Sequence, residues 1–353
     1  MRRRYRAVMS GDPVAALRRI AFLLERAHEP TYRVQAFRRA ASTIEALDPA
    51  ELARRVAEGS LQELPHVGKV TATAITEAVA GDVPVYLLRL EATADRPVAE
   101  HGAELRAALR GDCHTHSDWS DGGSPIGEMA AAARDLGHDY IVLTDHSPRL
   151  TVARGLSPDR LREQLRVVAA LNESLAPFRL LTGIEVDINE DGTLDQEPGL
   201  LAELDLVVAS VHSKLRMPAA DMTRRMVTAI ANPHTDVLGH CTGRNVTSQG
   251  RGGRPRPESE FDAELVFEAC RRFDVAVEIN CRPERLDPPK RLLRLAIETG
   301  CRVAIDTDAH APGQLDWQPY GCERAATVGV PVDRIVNSWD PDALLAWTGG
   351  KAG

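Results

Sequence analysis

The sequence predicts an α/β protein in which a small all-helical domain is followed by a barrel of alternating strands and helices. Up to about residue 91, apolar residues recur at helical spacing. From residue 110, short apolar runs alternate with amphipathic stretches, the order of successive β/α units around a parallel sheet. The chain has 353 residues, 43% of them hydrophobic, which is enough for a real core, and its length permits one domain or two. We expect a helical domain at 1–91, a linker at 92–109 and the barrel at 110–353.

The first predicted elements are helices within residues 12–58. Asp12 is a candidate N-cap, and Pro13 suits the first helical position. The apolar residues that follow at helical spacing are Leu17, Ile20, Leu23 and Leu24. The segment YRVQAFRRAASTIEAL repeats this pattern and ends at Asp48-Pro49.

The next element, LQELPHVGKVTATAITEAVAG, predicts a helix-hairpin-helix. A tight turn from Pro65 to Gly68, which needs a glycine, separates a short helix from a longer one. Unpaired N–H groups at the start of the second helix would bind a phosphate, and Lys69 adds positive charge. We therefore expect DNA contacts at His66, Val67, Gly68 and Lys69. An ordinary turn between two helices is the alternative.

The apolar runs of the barrel domain lie near 139–144, 179–188, 205–211, 236–239, 275–280 and 302–306, with a weaker run at 334–338. Polar motifs fall within or just beyond the ends of predicted strands: GDCHTHS, LTDHS, GIEVDI, ASVHS, LGHCTG and DTDAH. The carboxyl ends of barrel strands converge on one face, which carries the active site. These motifs therefore bring together nine candidate metal ligands: His114, His116, Asp121, His146, Glu185, His212, His240, Asp308 and His310.

Any one of the nine has an ordinary structural explanation as a hydrogen-bonded loop residue or a paired carboxylate. Together they would need a separate buried partner for each group, because a carboxylate such as Glu185 among aliphatic residues is costly unless it is paired or binds a metal. Imidazoles with carboxylates and no thiolate favour zinc, manganese or iron(II) over calcium. We interpret Cys113, Cys241 and Cys281, which lie beside the motifs, as packing residues.

Charge and cysteine content agree with a metal-binding domain. Residues 101–353 contain 28 basic and 38 acidic residues, so they would repel a polyanion unless bound cations neutralise them, although ordinary acidic surface charge is the alternative. The six cysteines form no CxxC pair, so we expect reduced, mostly buried thiols. No stretch is long and apolar enough for a membrane span, and we expect a cytoplasmic protein.

The nine-residue pattern over residues 110–350 resembles the PHP (polymerase and histidinol phosphatase) domain. The shared motifs are HxH…D, a TDH turn, a strand Glu, SVH, GH and DxDAH. The resemblance implies a distorted (β/α)7-type TIM-like barrel that holds two or three divalent ions, Zn, Mn or Fe. It implies one metal on His114, His116, Glu185 and Asp308, a second on Glu185, His212 and His240, and a third on Asp121, His146 and His310. The catalytic residues would be His114, His116, Glu185, Asp308 and His310.

Further segments resemble bacterial family X DNA polymerases: HCTGR, EINCRPERLD, AIDTDAHAPGQLD and YGCERAATVG in the barrel, and YRVQAFRRAASTI and LPHVGK before it. Residues 92–110 leave no room for the polymerase palm, so we expect no nucleotide addition. The lysine that forms a Schiff base in members with lyase activity corresponds to Ala74, so we also expect no lyase activity.

The resemblance implies a phosphoesterase acting on DNA in repair, as a 3′→5′ exonuclease, a 3′-phosphatase or an abasic-site endonuclease. A histidinol-phosphatase-like enzyme and a DNA-binding scaffold with an inactive barrel are the alternatives. Four basic residues near the strand ends are candidates to bind the substrate phosphate, or are simply surface charges: Lys214, Arg244, Arg282 and Arg285. A basic loop would contact a nucleic-acid backbone or be disordered: Arg251, Arg254 and Arg256.

Overall fold

The computed structural model describes residues 11–94, 99–247 and 255–350. The chain divides into two compact units, Met1–Pro97 and Val98–Gly353. The interval 92–109, expected to be a linker, contains the end of one helix and all of another, Ala103–Ala108, which belongs to the second unit. Within the described residues, no helix combines the length and the apolar character needed to cross a bilayer.

The first unit is all-helical, as predicted. Its helices are α1 (Pro13–Arg26), α2 (Thr31–Glu45), α3 (Pro49–Glu58), α4 (Lys69–Val79) and α5 (Val85–Ala94), with a 3-10 turn at Leu61–Glu63. The Asp12 carboxylate accepts a hydrogen bond of 2.9 Å from the Ala15 N–H and so caps α1. The apolar faces of α1, α2 and α4 form one buried core, which includes Leu17, Phe37 and Ile75.

The hairpin of the first unit differs in detail from the prediction. The predicted short helix before it is the three-residue 3-10 turn, and α4 begins directly after Gly68. The residue with positive φ is His66, at 64°, whereas Gly68 has an ordinary φ of −96° and open space where a Cβ would lie. The Gly68 N–H donates to the Thr71 hydroxyl at 2.9 Å. The turn therefore does not depend on left-handed backbone at Gly68.

The second unit is a seven-stranded parallel barrel in which each strand pairs with the next along the chain. The strands are β1 (Gly111–Thr115), β2 (Tyr140–Leu143), β3 (Arg179–Asp187), β4 (Leu206–Ser210), β5 (Val237–Leu238), β6 (Ala276–Asn280) and β7 (Val303–Asp306). The helices are α6 (Ala103–Ala108), α7 (Ile126–Asp135), α8 (Pro158–Leu175), α9 (Pro198–Leu201), α10 (Ala219–Ile230), α11 (Ala263–Arg272), α12 (Lys290–Thr299), α13 (Gln318–Val328) and α14 (Pro341–Gly349). The 3-10 turns of this unit are Thr151–Ala153, Pro312–Trp317, Val332–Arg334 and Val336–Ser338.

The barrel is nearly closed, because β1 and β7 meet without a regular ladder. The His116 N–H donates to the Ala309 carbonyl at 2.8 Å, next to a single bridge between residues 115 and 309. Deeper in the barrel, the Asp306 carboxylate accepts from the Cys113 N–H at 2.8 Å. Side chains therefore replace part of the main-chain pairing at this seam.

The weak strand predicted at 334–338 is wrong. The segment forms 3-10 turns, and only Ile335 makes a parallel bridge to β7. The side chain of Asn337 enters the seam instead: its amide donates to the Ile305 carbonyl at 2.7 Å and to the Gly111 carbonyl at 3.1 Å. The segment 334–338 is as apolar as a strand because it packs against the seam. Its hydrogen bonds to the Ile305 and Gly111 carbonyls, however, come from the Asn337 side chain and not from a strand ladder.

Candidate metal centre

The nine predicted ligands come together at the carboxyl-terminal mouth of the barrel. They lie within β1 (His114), directly after it (His116) and in the following loop (Asp121), after β2 (His146), within β3 (Glu185), after β4 (His212), after β5 (His240) and after β7 (Asp308 and His310). Side chains alternate along a strand, so Ile184 and Val186 pack with the helices outside while Glu185 points into the barrel. Strand geometry therefore explains why a carboxylate stands in an apolar run.

Glu185 is at the centre of the group and is 1% exposed. Its Oε1 lies 2.9 Å from His240 Nε2 and 3.2 Å from His212 Nε2. Its Oε2 lies 2.9 Å from His146 Nδ1 and 3.3 Å from His114 Nε2. His116 Nε2 also lies 3.6 Å from Oε2, so one carboxylate faces five imidazoles and its two oxygens are placed to serve different cations.

The remaining ligands form a deep set and an outer set. In the deep set, Asp308 Oδ1 lies 3.3 Å from His116 Nε2 and 3.9 Å from His114 Nε2, and all three residues are buried. In the outer set, Asp121 Oδ1 lies 3.4 Å from His146 Nε2 and 3.3 Å from His310 Nε2. The Asp121 side chain is 37% exposed, so this set faces solvent.

The grouping differs in part from the expected division among three metals. The compact sets of donor atoms are His114 with His116 and Asp308, then His146 with Glu185 and His212, and His116 with Asp121, His146 and His310. His146 therefore contacts Glu185 through Nδ1 and Asp121 of the outer set through Nε2. His240, expected in the second set, contacts Glu185 but does not belong to the compact set.

The residues present fit divalent cations. Buried donor atoms without a hydrogen-bond partner in the described part of the chain include His114 Nε2, Glu185 Oε2 and both ring nitrogens of His116 and of His212. An unsatisfied buried polar group costs about 1–3 kcal/mol, so leaving several together is unfavourable without an additional ligand. The donors are imidazole nitrogens and carboxylate oxygens, which suit zinc, manganese and iron.

The electrostatics of the site keep its carboxylates ionised. Burial alone would raise the pKa of Glu185, but the positive charges of His212, His114 and His146 outweigh it and hold the pKa well below its usual range. Burial likewise opposes ionisation of Asp308, and the neighbouring His114 again prevails, so that its pKa is also lowered. Anionic oxygen ligands are therefore available at neutral pH.

The histidines respond differently according to their neighbours. Burial, reinforced by the charges of His310 and His146, lowers the pKa of His116 well below its usual range. Burial also acts on His212, but Glu185 and Asp187 outweigh it and raise that pKa to about 9. The imidazole that is surrounded by other imidazoles is thus kept neutral, the form that binds a metal.

Two of the four candidate phosphate-binding residues lie at the ligands. Arg282 donates to the Asp308 carbonyl at 2.9 Å and approaches His310 Nδ1 at 3.0 Å. Arg285 Nε lies 3.3 Å from Asp308 Oδ2. Lys214 is exposed, in a turn after β4 with φ of 53°.

Arg244, the fourth candidate, contacts a neighbouring loop and not the metal ligands. Its guanidinium donates to the main-chain carbonyl of Arg285 at 3.0 Å and to that of Leu286, and it pairs with Glu258 at 3.4 Å. These contacts use the guanidinium to hold the loop that carries Arg285. We therefore remove Arg244 from the set of phosphate-binding candidates.

The predicted DNA contacts of the hairpin are divided by burial. His66, Gly68 and Lys69 are exposed, but Val67 is 5% exposed and packs in the core of the first unit. Its N–H donates to the Leu64 carbonyl at 3.3 Å, so the expected contact through Val67 is wrong. Its apolar side chain instead fixes the turn to the core.

Two further predictions concern the position of the lyase lysine in the helical unit and the basic loop of the barrel unit. Ala74 is buried in α4, whose single lysine is Lys69, the first residue of the helix. Arg251 and Arg254 lie outside the described residues. Arg256 Nε donates to the Gly243 carbonyl at 2.5 Å.

Sequence reasoning missed carboxylates that contact the ligands, among them Asp187 and Glu278. Asp187 accepts a hydrogen bond of 3.2 Å from the His212 N–H. Glu278 lies 2.6 Å from His114 Nδ1. Each is an acidic residue inside an apolar strand, the same signal that indicated Glu185, and the sequence VAVEIN around Glu278 contained it.

Two segments of the chain match known protein families. Residues 112–279 match the PHP domain, and residues 11–82 match a helix-hairpin-helix domain. A probable phosphatase of Caldanaerobacter subterraneus subsp. tengcongensis is 30% identical over 248 residues, which cover 67% of this chain and 89% of that protein. The chain therefore belongs to the PHP-domain phosphoesterase family.

A DNA polymerase/exonuclease and a solved phosphatase structure are also similar to parts of this chain. The Bacillus subtilis protein named DNA polymerase/3′-5′ exonuclease PolX is 40% identical over 230 residues, 65% of this chain and 39% of that protein. The chain thus spans about two fifths of that relative's length. A crystal structure of histidinol phosphate phosphatase from Lactococcus lactis, complexed with zinc, L-histidinol and phosphate, aligns with a TM-score of 0.42 and 17% identity over 62% of this chain and 92% of that one.

Proposed function

We propose that this protein is a metal-dependent phosphoesterase that cleaves DNA in repair, as a 3′→5′ exonuclease, a 3′-phosphatase or an abasic-site endonuclease. The observation that carries the proposal is the presence, in one chain, of the nine converging ligands and a helix-hairpin-helix domain. The ligands define the chemistry, and the helical domain favours DNA over a small substrate. A cytoplasmic location, where DNA and reduced thiols occur together, is part of the same proposal.

The side chains have distinct parts in hydrolysis. The nine residues would hold two or three divalent cations, which would supply a water nucleophile at neutral pH and neutralise the phosphoryl oxygens. Glu185 fixes the spacing of the ligand sets, because its two oxygens face different histidines. Arg282 and Arg285, beside Asp308, present guanidinium groups that bind a phosphate with paired hydrogen bonds. Lys214 adds a further charge at the rim.

We also propose that this protein has neither nucleotide-addition nor lyase activity. Between the end of α5 at Ala94 and the start of β1 at Gly111, the chain has room only for the short helix α6. A polymerase palm cannot fit in this interval. The buried methyl of Ala74 offers no amine for a Schiff base, so we also propose that the helical domain binds DNA without lyase chemistry.

Hydrolysis of a small phosphate ester is the second candidate. It is supported by relatives named probable phosphatases, which align with 64–67% of this chain and 89% of their own length. These matches concern a region of barrel size, whereas the helix-hairpin-helix adds a module that a small substrate does not need.

The experiment uses purified protein with manganese on 3′-labelled oligonucleotides, abasic DNA and histidinol phosphate. The control is the double variant His114→Ala/His116→Ala, which removes two deep ligands. We expect DNA cleavage that the double substitution abolishes. Cleavage that survives it would refute the site assignment, and activity on histidinol phosphate alone would favour the second candidate.

A further inference from the structure

Glu278 is a fully buried carboxylate behind the metal ligands, inside β6. Its neighbours Val277 and Ile279 pack in apolar clusters outside the strand, so Glu278 points to the barrel interior. Its Oε1 lies 2.6 Å from His114 Nδ1, and its Oε2 accepts from the His240 N–H at 2.5 Å. One side chain therefore contacts two candidate ligands, on two different strands.

The contact with His114 selects one form of the imidazole. An ionised carboxylate accepts a hydrogen bond and so requires the hydrogen on Nδ1, which leaves the lone pair of a neutral imidazole on Nε2. That nitrogen is the one facing Glu185 at 3.3 Å, and it is buried without a hydrogen-bond partner among the described residues. Glu278 thus directs the metal-binding nitrogen of His114 into the site.

The contact with His240 acts through the main chain. The bond to its N–H holds the backbone from which the imidazole reaches Glu185, at 2.9 Å. The amide of Asn280 extends the same network, because its Nδ2 lies 3.2 Å from Glu278 Oε2 and 3.1 Å from Asp308 Oδ2. Three ligands are therefore tied to one buried carboxylate, two directly and Asp308 through an amide.

We propose that Glu278 is a positioning residue that sets the tautomer of His114 and the backbone position of His240, and so fixes the donor geometry for more than one metal ion. This inference rests on the proposed function only in taking the nine residues as metal ligands. It adds to that set a residue that binds no metal itself. Carboxylate partners behind metal-bound histidines orient the ring and increase its basicity as a ligand.

The chemistry requires a carboxylate at this position. Both oxygens of Glu278 accept, one from a ring N–H and one from a main-chain N–H. Glutamine has the same shape but offers one acceptor oxygen, and its NH₂ group would face a donor. Glu278→Gln must therefore lose either the contact with His114 or the contact with His240.

The test compares Glu278→Gln with Asp205→Asn, a matched carboxylate-to-amide change away from the ligands. The Asp205 carboxylate accepts from the Thr182 N–H at 2.8 Å and from its hydroxyl at 2.9 Å, in the β3–β4 pair. Metal content after dialysis against zinc or manganese is measured by elemental analysis, and affinity by competition with a chelator. Thermal unfolding of the metal-free proteins monitors the fold.

We expect both variants to lose stability, but only Glu278→Gln to lose apparent metal affinity, by about 10- to 100-fold. Wild-type affinity in Glu278→Gln, or an equal loss in Asp205→Asn, would overturn the inference. If Glu278→Gln does not fold, Glu278→Asp and Glu278→Asn replace it, since both shorten the side chain equally and only Asp keeps two acceptors. Equal affinity in these two would again overturn the inference.

The metal readout separates this inference from the proposed function. A wild-type protein that binds metal but cleaves no phosphoester would refute the proposed function and leave the role of Glu278 testable. Normal cleavage with unchanged metal affinity in Glu278→Gln would overturn the inference alone. A wild-type protein that takes up no metal would overturn both.

Discussion

His138 makes the stability of the barrel unit sensitive to acid in a way that one substitution removes. The side chain is 4% exposed, just before β2, and its Nε2 lies 3.3 Å from Arg106 Nη2. Burial, and then the positive charge of Arg106, lowers the pKa of His138 to about 3. The folded protein thus keeps this imidazole neutral.

The sign and size of the effect follow from this pKa. An unfolded chain has a histidine pKa of about 6.5, so below this value the unfolded state binds a proton that the folded state excludes. The stability that comes from keeping His138 neutral is fully present above pH 6.5 and is lost as the pH falls toward 3. At about 1.4 kcal/mol per pH unit, the free energy of unfolding should fall by about 2 kcal/mol between pH 8 and pH 5.

His138→Gln isolates this contribution, because glutamine still offers an acceptor to Arg106 but does not titrate. All four tryptophans lie beyond residue 118, so their fluorescence in urea follows the barrel unit. Both proteins are measured without metal, so that the other histidines contribute equally to each. We expect wild type to lose about 2 kcal/mol more than the variant between pH 8 and pH 5. Parallel losses in the two proteins would refute the reasoning.

Further predictions concern the site and the hairpin. Asp121→Ala should remove one metal ion per chain, measured by elemental analysis, and leave the deep set filled. The reason is that Asp121 belongs to the outer, exposed set. Loss of all metal would contradict this prediction. Arg282→Ala should raise the KM for the phosphate substrate about tenfold, as expected for a lost charge-assisted hydrogen bond, whereas Arg244→Ala should lower the melting temperature and leave KM unchanged; the reverse result would restore Arg244 as a phosphate ligand. Lys69→Glu should weaken DNA binding, measured by fluorescence anisotropy, more than Arg89→Glu does. Arg89 is an exposed residue of α5 in the same unit, so its substitution is the same charge reversal away from the hairpin. Equal effects would argue against the hairpin as the DNA contact.

Much of the barrel could be predicted because strand ends leave a readable pattern. His146, His212 and His240 each follow a short apolar run, and β strands in those places confirm the pattern. The strand Gly111–Thr115 was not among the apolar runs, although it is buried throughout, because two of its five residues are Asp112 and His114. Polar side chains that face other polar side chains inside a barrel remove the hydrophobic signal of a strand.

The parts that could not be predicted depend on spatial neighbours. Glu185 and Glu278 have the same sequence signal, but the imidazoles of five histidines surround Glu185, whereas Glu278 lies behind one ring and beside a main-chain N–H. Likewise, the sequence shows that Arg244 follows a strand end but not that its guanidinium reaches the carbonyls of the next loop. Strand period gives the side of the sheet on which a residue lies, but its partner depends on the packing of distant segments.

Under the proposed function, the charge distribution makes DNA binding depend on bound metal. Residues 101–353 carry ten more acidic than basic residues, and three of the nine candidate ligands are carboxylates. Without bound cations, this excess of negative charge would oppose a DNA backbone, and the favourable contacts would come from the hairpin and from Arg282, Arg285 and Lys214 at the mouth. Two or three divalent ions would add four to six positive charges at the mouth, which makes them the largest local charges there. Metal loading should consequently strengthen DNA binding by the full chain as well as permit cleavage, and this gain should disappear in His114→Ala/His116→Ala.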